Sequence, residues 1–185
     1  KRLGRVTSVQ RSKITIVCDA GERVVELSTA LQQSAAVDRP TVGDWVVLDE
    51  SLSRIESALE RKSLIKRVGS GSKTEIQPIA ANIDTLFIVT SCNEDFNESR
   101  LERYLALCAE AGAMPVIIHT KIDLAEDADI SRGRARRVQA GVPVETANAL
   151  DPTTLDGVIS WIDDVSTVAL VGSSGVGKST LLNTL

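Results

Sequence analysis

The stretch VALVGSSGVGKSTLLNTL (168–185) constrains the fold more than any other part of the sequence. Residues 172–179 match the pattern G-x-x-x-x-G-K-[ST] in full, after a strand-forming run and before a helix-forming run. Such glycines let backbone N–H groups turn inward, and the helix N-terminus adds partial positive charge, so the loop attracts phosphate. The pattern predicts a strand–loop–helix unit in which Lys178 reaches the β- and γ-phosphates of a nucleotide and Ser179 ligates Mg²⁺.

The segments before this loop alternate between strand and helix patterns. NIDTLFIVTS, MPVIIHT, VPVET and STVALVG are short apolar runs typical of strands buried on both faces of a parallel sheet. NESRLERYLALCAEAG (97–112) has helical spacing, with Asn97 or Ser99 able to cap it and Gly112 to stop it. PTTLDGVISWIDD (152–164) predicts a second helix that begins at Pro152. This alternation predicts an α/β domain with a parallel sheet.

A candidate base-binding motif, Thr120-Lys121-Ile122-Asp123, ends the strand VIIHT. A carboxylate at position 123 can accept hydrogen bonds from guanine N1–H and the 2-amino group, whereas adenine offers neither donor. Each such charge-assisted bond contributes about 1.5–3 kcal/mol, so guanine should be preferred by several orders of magnitude. The next strand ends in Thr146-Ala147, where the Ala147 N–H is expected to donate to guanine O6.

The order of these motifs is reversed relative to an ordinary GTPase, in which the phosphate loop comes first. Joining the nearby termini of such a domain and cutting it elsewhere would leave its packing intact. The two loops are then expected at the carboxyl ends of neighbouring strands. The Mg²⁺-linked switch segments would follow residue 185.

The front of the chain has five short strand patterns, RVTSV, KITIVC, RVVEL, DWVVLD and SRIESAL, separated by turn residues. Five strands in about 60 residues favour a small closed barrel of the OB type, with an SH3-like barrel as the alternative. The expected domains are a barrel over 1–68, a Gly/Ser-containing linker over 69–81, and an incomplete circularly permuted P-loop GTPase domain over 82–185. The fold class is therefore multi-domain, β plus α/β.

Composition excludes several classes of protein. No apolar run approaches the ~18 residues of a membrane span. The three cysteines fit no metal or redox spacing and are expected to be reduced core thiols of a cytoplasmic protein. His119 is expected to be a packed structural residue. Trp45 is expected in the barrel core, so few aromatic side chains are available for bases to stack on. Any contact with RNA should therefore be mainly to the RNA backbone.

The sequence resembles the circularly permuted GTPases known as ribosome small-subunit-dependent GTPase A, found in bacteria and plastids. The residues that carry the resemblance are GDWV, RKSLIKR, AANIDTLFIV, FNESRLERYL, PVIIHTKIDL and GSSGVGKSTLLN. The resemblance implies an OB barrel that contacts small-subunit rRNA, GTP hydrolysis stimulated by that subunit, and a role in late 30S maturation. It also implies a zinc-binding region, which would follow residue 185. Thr120 departs from the family's usual Asn, which is expected to weaken contact with the base or between the two loops.

The expected site residues combine the loop patterns with this resemblance. Lys178 is the expected catalytic residue and Ser179 the Mg²⁺ ligand. The basic residues expected to contact rRNA are Arg61, Lys62, Lys66 and Arg67. The residues expected to bind GTP or GDP are Thr120, Lys121, Ile122, Asp123, Thr146, Ala147, Gly172, Ser173, Ser174, Gly175, Val176, Gly177, Lys178, Ser179 and Thr180.

The sequence therefore predicts a monomeric, cytoplasmic GTPase of small-subunit maturation with no membrane partner. This chain alone should bind nucleotide without hydrolysing it. Lys178 and Ser179 are the only residues expected to take part in hydrolysis that lie within the chain. Two alternatives stay open at this point. One is a P-loop ATPase of the transporter or helicase type, and the other is an RNA-binding protein that binds GTP without hydrolysing it.

Overall fold

A computed structural model describes residues 2–10, 13–69, 75–92, 97–124, 133, 137 and 140–185. The chain divides into two compact units, residues 1–83 and 84–185. Among the described residues, no helix is long and apolar enough to cross a membrane.

The first unit contains a closed five-stranded barrel. Its strands are β1 (Arg2–Gln10), β2 (Lys13–Cys18), β3 (Gly21–Leu27), β4 (Trp45–Leu48) and β5 (Arg54–Ala58). They pair in the order β1-β2-β3-β5-β4, and β4 pairs with β1 to close the ring. Every pair is antiparallel except β3 with β5, a strand order that fits the OB fold. The barrel expected from the sequence is confirmed.

Alternate residues of the barrel strands form its core, as the period-2 pattern predicts. Helix α1 (Thr29–Gln33), capped by the Ser28 hydroxyl, joins β3 to the rest of the barrel. The fully buried core side chains are Val6, Ile14, Ile16, Val25, Val46, Leu48 and Ile55.

Trp45 does not belong to that core, so the expectation for it is wrong. Its side chain is 43% exposed, and the Arg5 guanidinium lies 5.4 Å from the centre of its ring. Trp45 and Arg5 are paired across β4 and β1 on the outer face. Because strand side chains alternate between faces, the inward position next to Trp45 is taken by Val46.

The segment expected to be a linker, 69–81, is a strand over its second half. Strand β6 (Leu64–Val68) pairs with β7 (Ile76–Ala81) in an antiparallel two-stranded sheet, while residues 70–74 lie outside the described residues. The first unit also ends later than expected, at Ile83. The Gly/Ser stretch that suggested a linker therefore lies mostly outside the described residues, and the pairing of its flanks depends on contacts that composition does not reveal.

The second unit contains a parallel sheet and three helices among the described residues. The strands are β8 (Thr85–Ser91), β9 (Met114–Thr120), β10 (Val144–Thr146) and β11 (Val168–Val171), in the order β10-β9-β8-β11. The helices are α2 (Glu98–Ala111), α3 (Asp156–Ile159) and α4 (Lys178–Thr184). Phe87, Val116 and Ile118 of the central strands pack with Leu155, Val158 and Leu181. The predicted parallel sheet is confirmed.

Two expectations for this unit need correction. The strands that lead to the base motif and to the phosphate loop are not neighbours, because β8 lies between β9 and β11. The helix expected over 152–164 is also much shorter. A 3₁₀ turn (Pro152–Thr154) leads into the four residues of α3, and the Asp163 carboxylate then accepts hydrogen bonds from the Val165 and Ser166 N–H groups, which stabilise a turn instead of a helix.

Helix α2 begins and ends where its capping residues predict. The Asn97 side chain caps α2 by accepting from the Arg100 N–H at 2.9 Å, and Gly112 ends it.

His119 and two of the three cysteines lie in the interior. His119 is fully buried, with its Nδ1 3.5 Å from the Cys92 sulfur. Cys92 and Cys108 are buried free thiols, and burial raises the pKa of Cys108 to about 11. Cys18 is partly exposed.

Candidate nucleotide site

The loop between β11 and α4 has the backbone shape that the glycine pattern predicts. Gly172 has φ +152°, and a Cβ added there would lie 2.2 Å from the Val89 carbonyl oxygen. Gly177, immediately before α4, has φ +96°. Any other residue would be strained at these positions, so glycine is required by backbone geometry and by close packing against β8.

Lys178 lies over this loop rather than in solvent. Its ammonium donates to the Gly172 carbonyl at 2.9 Å and to the Ser173 carbonyl at 2.6 Å. Ser179, the next residue of α4, is exposed. The loop thus holds a cation against its own carbonyl oxygens, with the N-terminus of α4 beside it.

A magnesium ion fits the chemistry at Ser179. Mg²⁺ takes oxygen ligands and keeps several waters, so a site completed by phosphates needs only one or two protein ligands. Within the part of the chain that the structure describes, no group of three or more His, Cys, Asp or Glu side chains could form a dedicated metal cage. The one expected ligand from this loop is the Ser179 hydroxyl.

The base motif and the phosphate loop line one open cleft of about 500 Å³. Lys121 adopts a left-handed conformation at φ +58° and leads into a 3₁₀ turn (Ile122–Leu124) in which Asp123 is exposed. Among the described residues, no hydrogen bond to the Asp123 carboxylate is present. The residues that line the cleft are Thr120, Lys121, Asp123, Asn148, Ala149, Leu150, Gly177 and Thr180.

Thr120 connects the two loops directly. Its hydroxyl donates to the Val176 carbonyl of the phosphate loop at 2.5 Å and also lies 3.2 Å from the Thr90 carbonyl. The residue is fully buried. The bracing between the loops, expected to be weak with Thr in place of Asn, is therefore present. A hydroxyl on β9 is sufficient because it reaches across the end of β8 to the loop after β11.

The structure gives the Ala147 N–H a partner within the sheet rather than the open position expected of it. It donates to the His119 carbonyl at 2.8 Å, and the residue is fully buried. The cleft is lined by the three residues that follow, Asn148, Ala149 and Leu150. Thr146-Ala147 was selected by residue type, because many GTPases have a Ser-Ala pair at the end of the corresponding strand. Strand β10 ends at Thr146, and no residue type in the sequence marks that end. The segment that lines the cleft therefore begins later in the chain than Thr146-Ala147.

The basic residues expected to bind RNA differ in their surroundings. Arg61 forms an ion pair with Asp44 at 2.7 Å and also donates to the Val37 and Arg39 carbonyls, so its guanidinium is committed to the fold. Lys62 and Arg67 are exposed. Lys66 and Arg67 are consecutive on β6 and therefore face opposite sides of it.

Comparison with known proteins agrees with this architecture. Residues 58–185 match the family model described as RsgA GTPase. A Mesorhizobium japonicum protein named small ribosomal subunit biogenesis GTPase RsgA is 45% identical over 181 residues, which cover 98% of this chain and 51% of that protein. A Vibrio parahaemolyticus protein named small ribosomal subunit biogenesis GTPase RsgA 2 is 43% identical over 98% of this chain and 49% of its own length. The chain thus spans about half the length of these curated relatives.

Two solved structures share the fold. The crystal structure of YjeQ from Thermotoga maritima has a TM-score of 0.75 at 22% identity, covering 99% of this chain and 64% of that one. The structure of YloQ, described as a circularly permuted GTPase, has a TM-score of 0.70 at 25% identity over the same shares. The predicted permuted arrangement is confirmed. On its sequence and its fold, this chain belongs to the RsgA GTPase family.

Proposed function

We propose that this chain is the nucleotide-binding part of a GTPase that binds GTP and GDP with Mg²⁺ and, within a longer protein, hydrolyses GTP during maturation of the small ribosomal subunit. The observation that carries the proposal is the shared cleft. Asp123 lines it on the base side, Gly177 and Thr180 line it on the phosphate side, and the Thr120–Val176 hydrogen bond holds the two sides together.

The geometry suits guanine better than adenine. The Asp123 carboxylate is exposed at the cleft and engaged by no described residue, so both its oxygens can accept from the two N–H donors of guanine. The N–H group that donates to guanine O6 is expected from the segment 148–150, which lines the cleft, rather than from Ala147. Adenine would leave the carboxylate desolvated and without donors, which is strongly unfavourable.

The phosphate side supplies charge for the reaction. Lys178 would exchange the Gly172 and Ser173 carbonyls for β- and γ-phosphate oxygens. Ser179 would hold Mg²⁺, which when bound neutralises charge on the same phosphates. Lys178 and Ser179 are the two residues of this chain that we assign to hydrolysis, so this chain by itself is expected to bind nucleotide without turnover.

The ribosomal part of the proposal is supported by the curated relatives, which are named for small-subunit biogenesis. We propose that rRNA phosphates contact the first unit at Lys62, Lys66 or Arg67, while Arg61 has a structural role. A protein with that role would act in the cytoplasm. The monomeric state, the contact with rRNA and the zinc-binding region beyond residue 185 remain predictions.

Base selection is tested by competition on this chain. Labelled GDP with Mg²⁺ should be displaced by GTP and not by ATP at comparable concentration. Asp123→Asn should weaken GDP binding and strengthen binding of the xanthine nucleotide, because an amide N–H then faces the extra base oxygen. Asp151→Asn, in the loop after β10, is the matched control. Equal displacement by ATP and GTP would exclude the base assignment.

The ribosomal role is tested on the longer protein that continues past residue 185. GTP turnover is measured with increasing amounts of 30S subunits at several salt concentrations. Stimulation should fall as salt rises, and changing Lys62, Lys66 and Arg67 to Ala should reduce it and its salt dependence. An unchanged turnover rate with 30S would rule out this role, while equal stimulation of both proteins would exclude only these three contacts.

A further inference from the structure

Arg100 brings a second cation to the phosphate loop. From the first turn of α2, its Nη1 donates to the Ser173 hydroxyl. The carbonyl of the same serine accepts from Lys178 at 2.6 Å. The guanidinium and the ammonium therefore meet at one residue of the loop, although they come from positions far apart in the sequence.

The position of Arg100 is fixed by its surroundings. The Asn97 cap holds its backbone N–H, so the start of the helix is well defined. The side chain is half-buried in a narrow surface crevice that Ile88, Leu101 and Tyr104 also line. Arg100 therefore points at the loop rather than into bulk water.

Among the described residues, the two cations at this loop have no carboxylate partner. Neither Arg100 nor Lys178 has a described carboxylate within 4 Å, and the ion pair present is Asp44–Arg61 in the other unit. The described hydrogen-bond partners of both side chains are neutral oxygen atoms. Two like charges close together repel, and an anion beside both would remove that repulsion.

We propose that Arg100 is a positioning residue for the terminal phosphate: through Ser173 it orients the loop and adds positive charge at the end where Lys178 lies. The inference rests on the proposed binding of a nucleoside triphosphate. Because Lys178 reaches the β- and γ-phosphates in such loops, Arg100 acts at the same end. The Arg100 effect should therefore increase with the number of phosphates and be independent of the base.

The test measures the affinity of this chain for GTP, GDP, GMP and inorganic tripolyphosphate. Arg100→Ala should lower affinity for GTP and tripolyphosphate about tenfold, for GDP about threefold, and for GMP not at all. Ser173→Ala should reproduce most of the GTP effect, and the double variant should add little, because both changes remove one contact. Arg100→Lys should restore only part of the affinity. Arg103→Ala, on the exposed side of the same helix, is the control for removing a charge.

Each outcome separates the two proposals. Equal losses for all four ligands, or a GTP affinity unchanged by Arg100→Ala, would overturn the role of Arg100. If the wild-type chain binds ATP as well as GTP, the proposed function fails. A tenfold loss of tripolyphosphate affinity in Arg100→Ala would then still support the role of Arg100. If the wild-type chain binds neither tripolyphosphate nor GTP, both the proposed function and the role of Arg100 are excluded.

Discussion

Charged side chains are used in opposite ways in the two units. In the barrel unit, the fully buried Asp44 carboxylate binds Arg61 twice, at 2.9 and 2.7 Å, and the Thr41 N–H at 2.8 Å. In the second unit, Lys178 faces carbonyl oxygens, and the Asp123 carboxylate has no hydrogen bond among the described residues. Charges whose partners lie within the chain stabilise the fold, and charges without them are suited to a ligand. Substitutions in the two units should therefore change different measurements.

The largest effect should come from breaking the barrel's ion pair. Asp44→Ala leaves a largely buried guanidinium without its carboxylate, which should lower the free energy of unfolding by about 3–5 kcal/mol. Urea unfolding followed by circular dichroism measures this loss. The affinity of the folded fraction for GDP should be unchanged.

Two further variants make that result specific. Glu60→Ala removes an exposed carboxylate next to Arg61 and should change stability by less than about 0.5 kcal/mol. Asp44→Ala combined with Arg61→Ala should lose less than the sum of the single losses. Additive losses would mean that the pair is not coupled.

The next effect should be on binding rather than on stability. Lys178→Ala should weaken GDP binding about 100-fold, or roughly 2.8 kcal/mol, because an ammonium that bonds phosphate oxygens is lost. Its two present partners are exposed enough to be hydrated, so thermal unfolding without nucleotide should change little. Isothermal titration calorimetry with GDP measures the affinity. Lys13→Ala, an exposed barrel residue, is the control, and a Lys178 variant that unfolds early while binding normally would contradict the distinction between the units.

Thr120 contributes both to the fold and to the nucleotide cleft, because its buried hydroxyl holds the phosphate loop. Its substitution should therefore reduce both stability and nucleotide affinity, each by an intermediate amount. Thr120→Val keeps the shape of the side chain but leaves the buried Val176 carbonyl without its donor, which should cost about 1–3 kcal/mol. Because that carbonyl belongs to the phosphate loop, GDP affinity should fall as well, by roughly tenfold. Thr120→Ser, which keeps the hydroxyl, should retain most of the stability and most of the GDP affinity. A stability loss without any change in GDP affinity would show that the bond does not connect the two loops.

Local sequence patterns predicted the elements that depend on near neighbours. The phosphate loop, the capped helix α2 and the alternating barrel strands were all predicted from residues within about fifteen positions of one another. In each case a backbone requirement, such as the φ of Gly172 or the cap at Asn97, selects a residue type that can be recognised.

Features that depend on tertiary contacts could not be predicted in this way. The Arg100–Ser173 contact joins positions 73 residues apart, and nothing in the local sequence of either marks it. Ala147 was chosen by residue type, but the length of β10 determines which N–H groups the sheet uses. Arg61 was read as a surface cation because its partner, Asp44, lies 17 positions away. Trp45 was expected in the core, whereas strand alternation puts Val46 inside and leaves Trp45 43% exposed.

The smallest effect concerns an exposed carboxylate whose partners lie within the chain. Asp49, between β4 and β5, accepts hydrogen bonds from the Ser51 hydroxyl and from the Arg54 and Ser53 N–H groups, which lower its pKa from 3.8 to about 2. A folded-state pKa below the unfolded value stabilises the fold above about pH 4, and this contribution disappears as pH falls toward 2. Asp49→Asn should therefore lower the melting temperature slightly at pH 7 and not at pH 2. Ser51→Ala, which removes the strongest of these bonds, should give part of the same difference, measured by thermal unfolding across this pH range. A wild-type-minus-variant difference that is constant from pH 2 to 7 would show that these bonds act equally on the protonated acid, and that Asp49 shapes the turn without its charge.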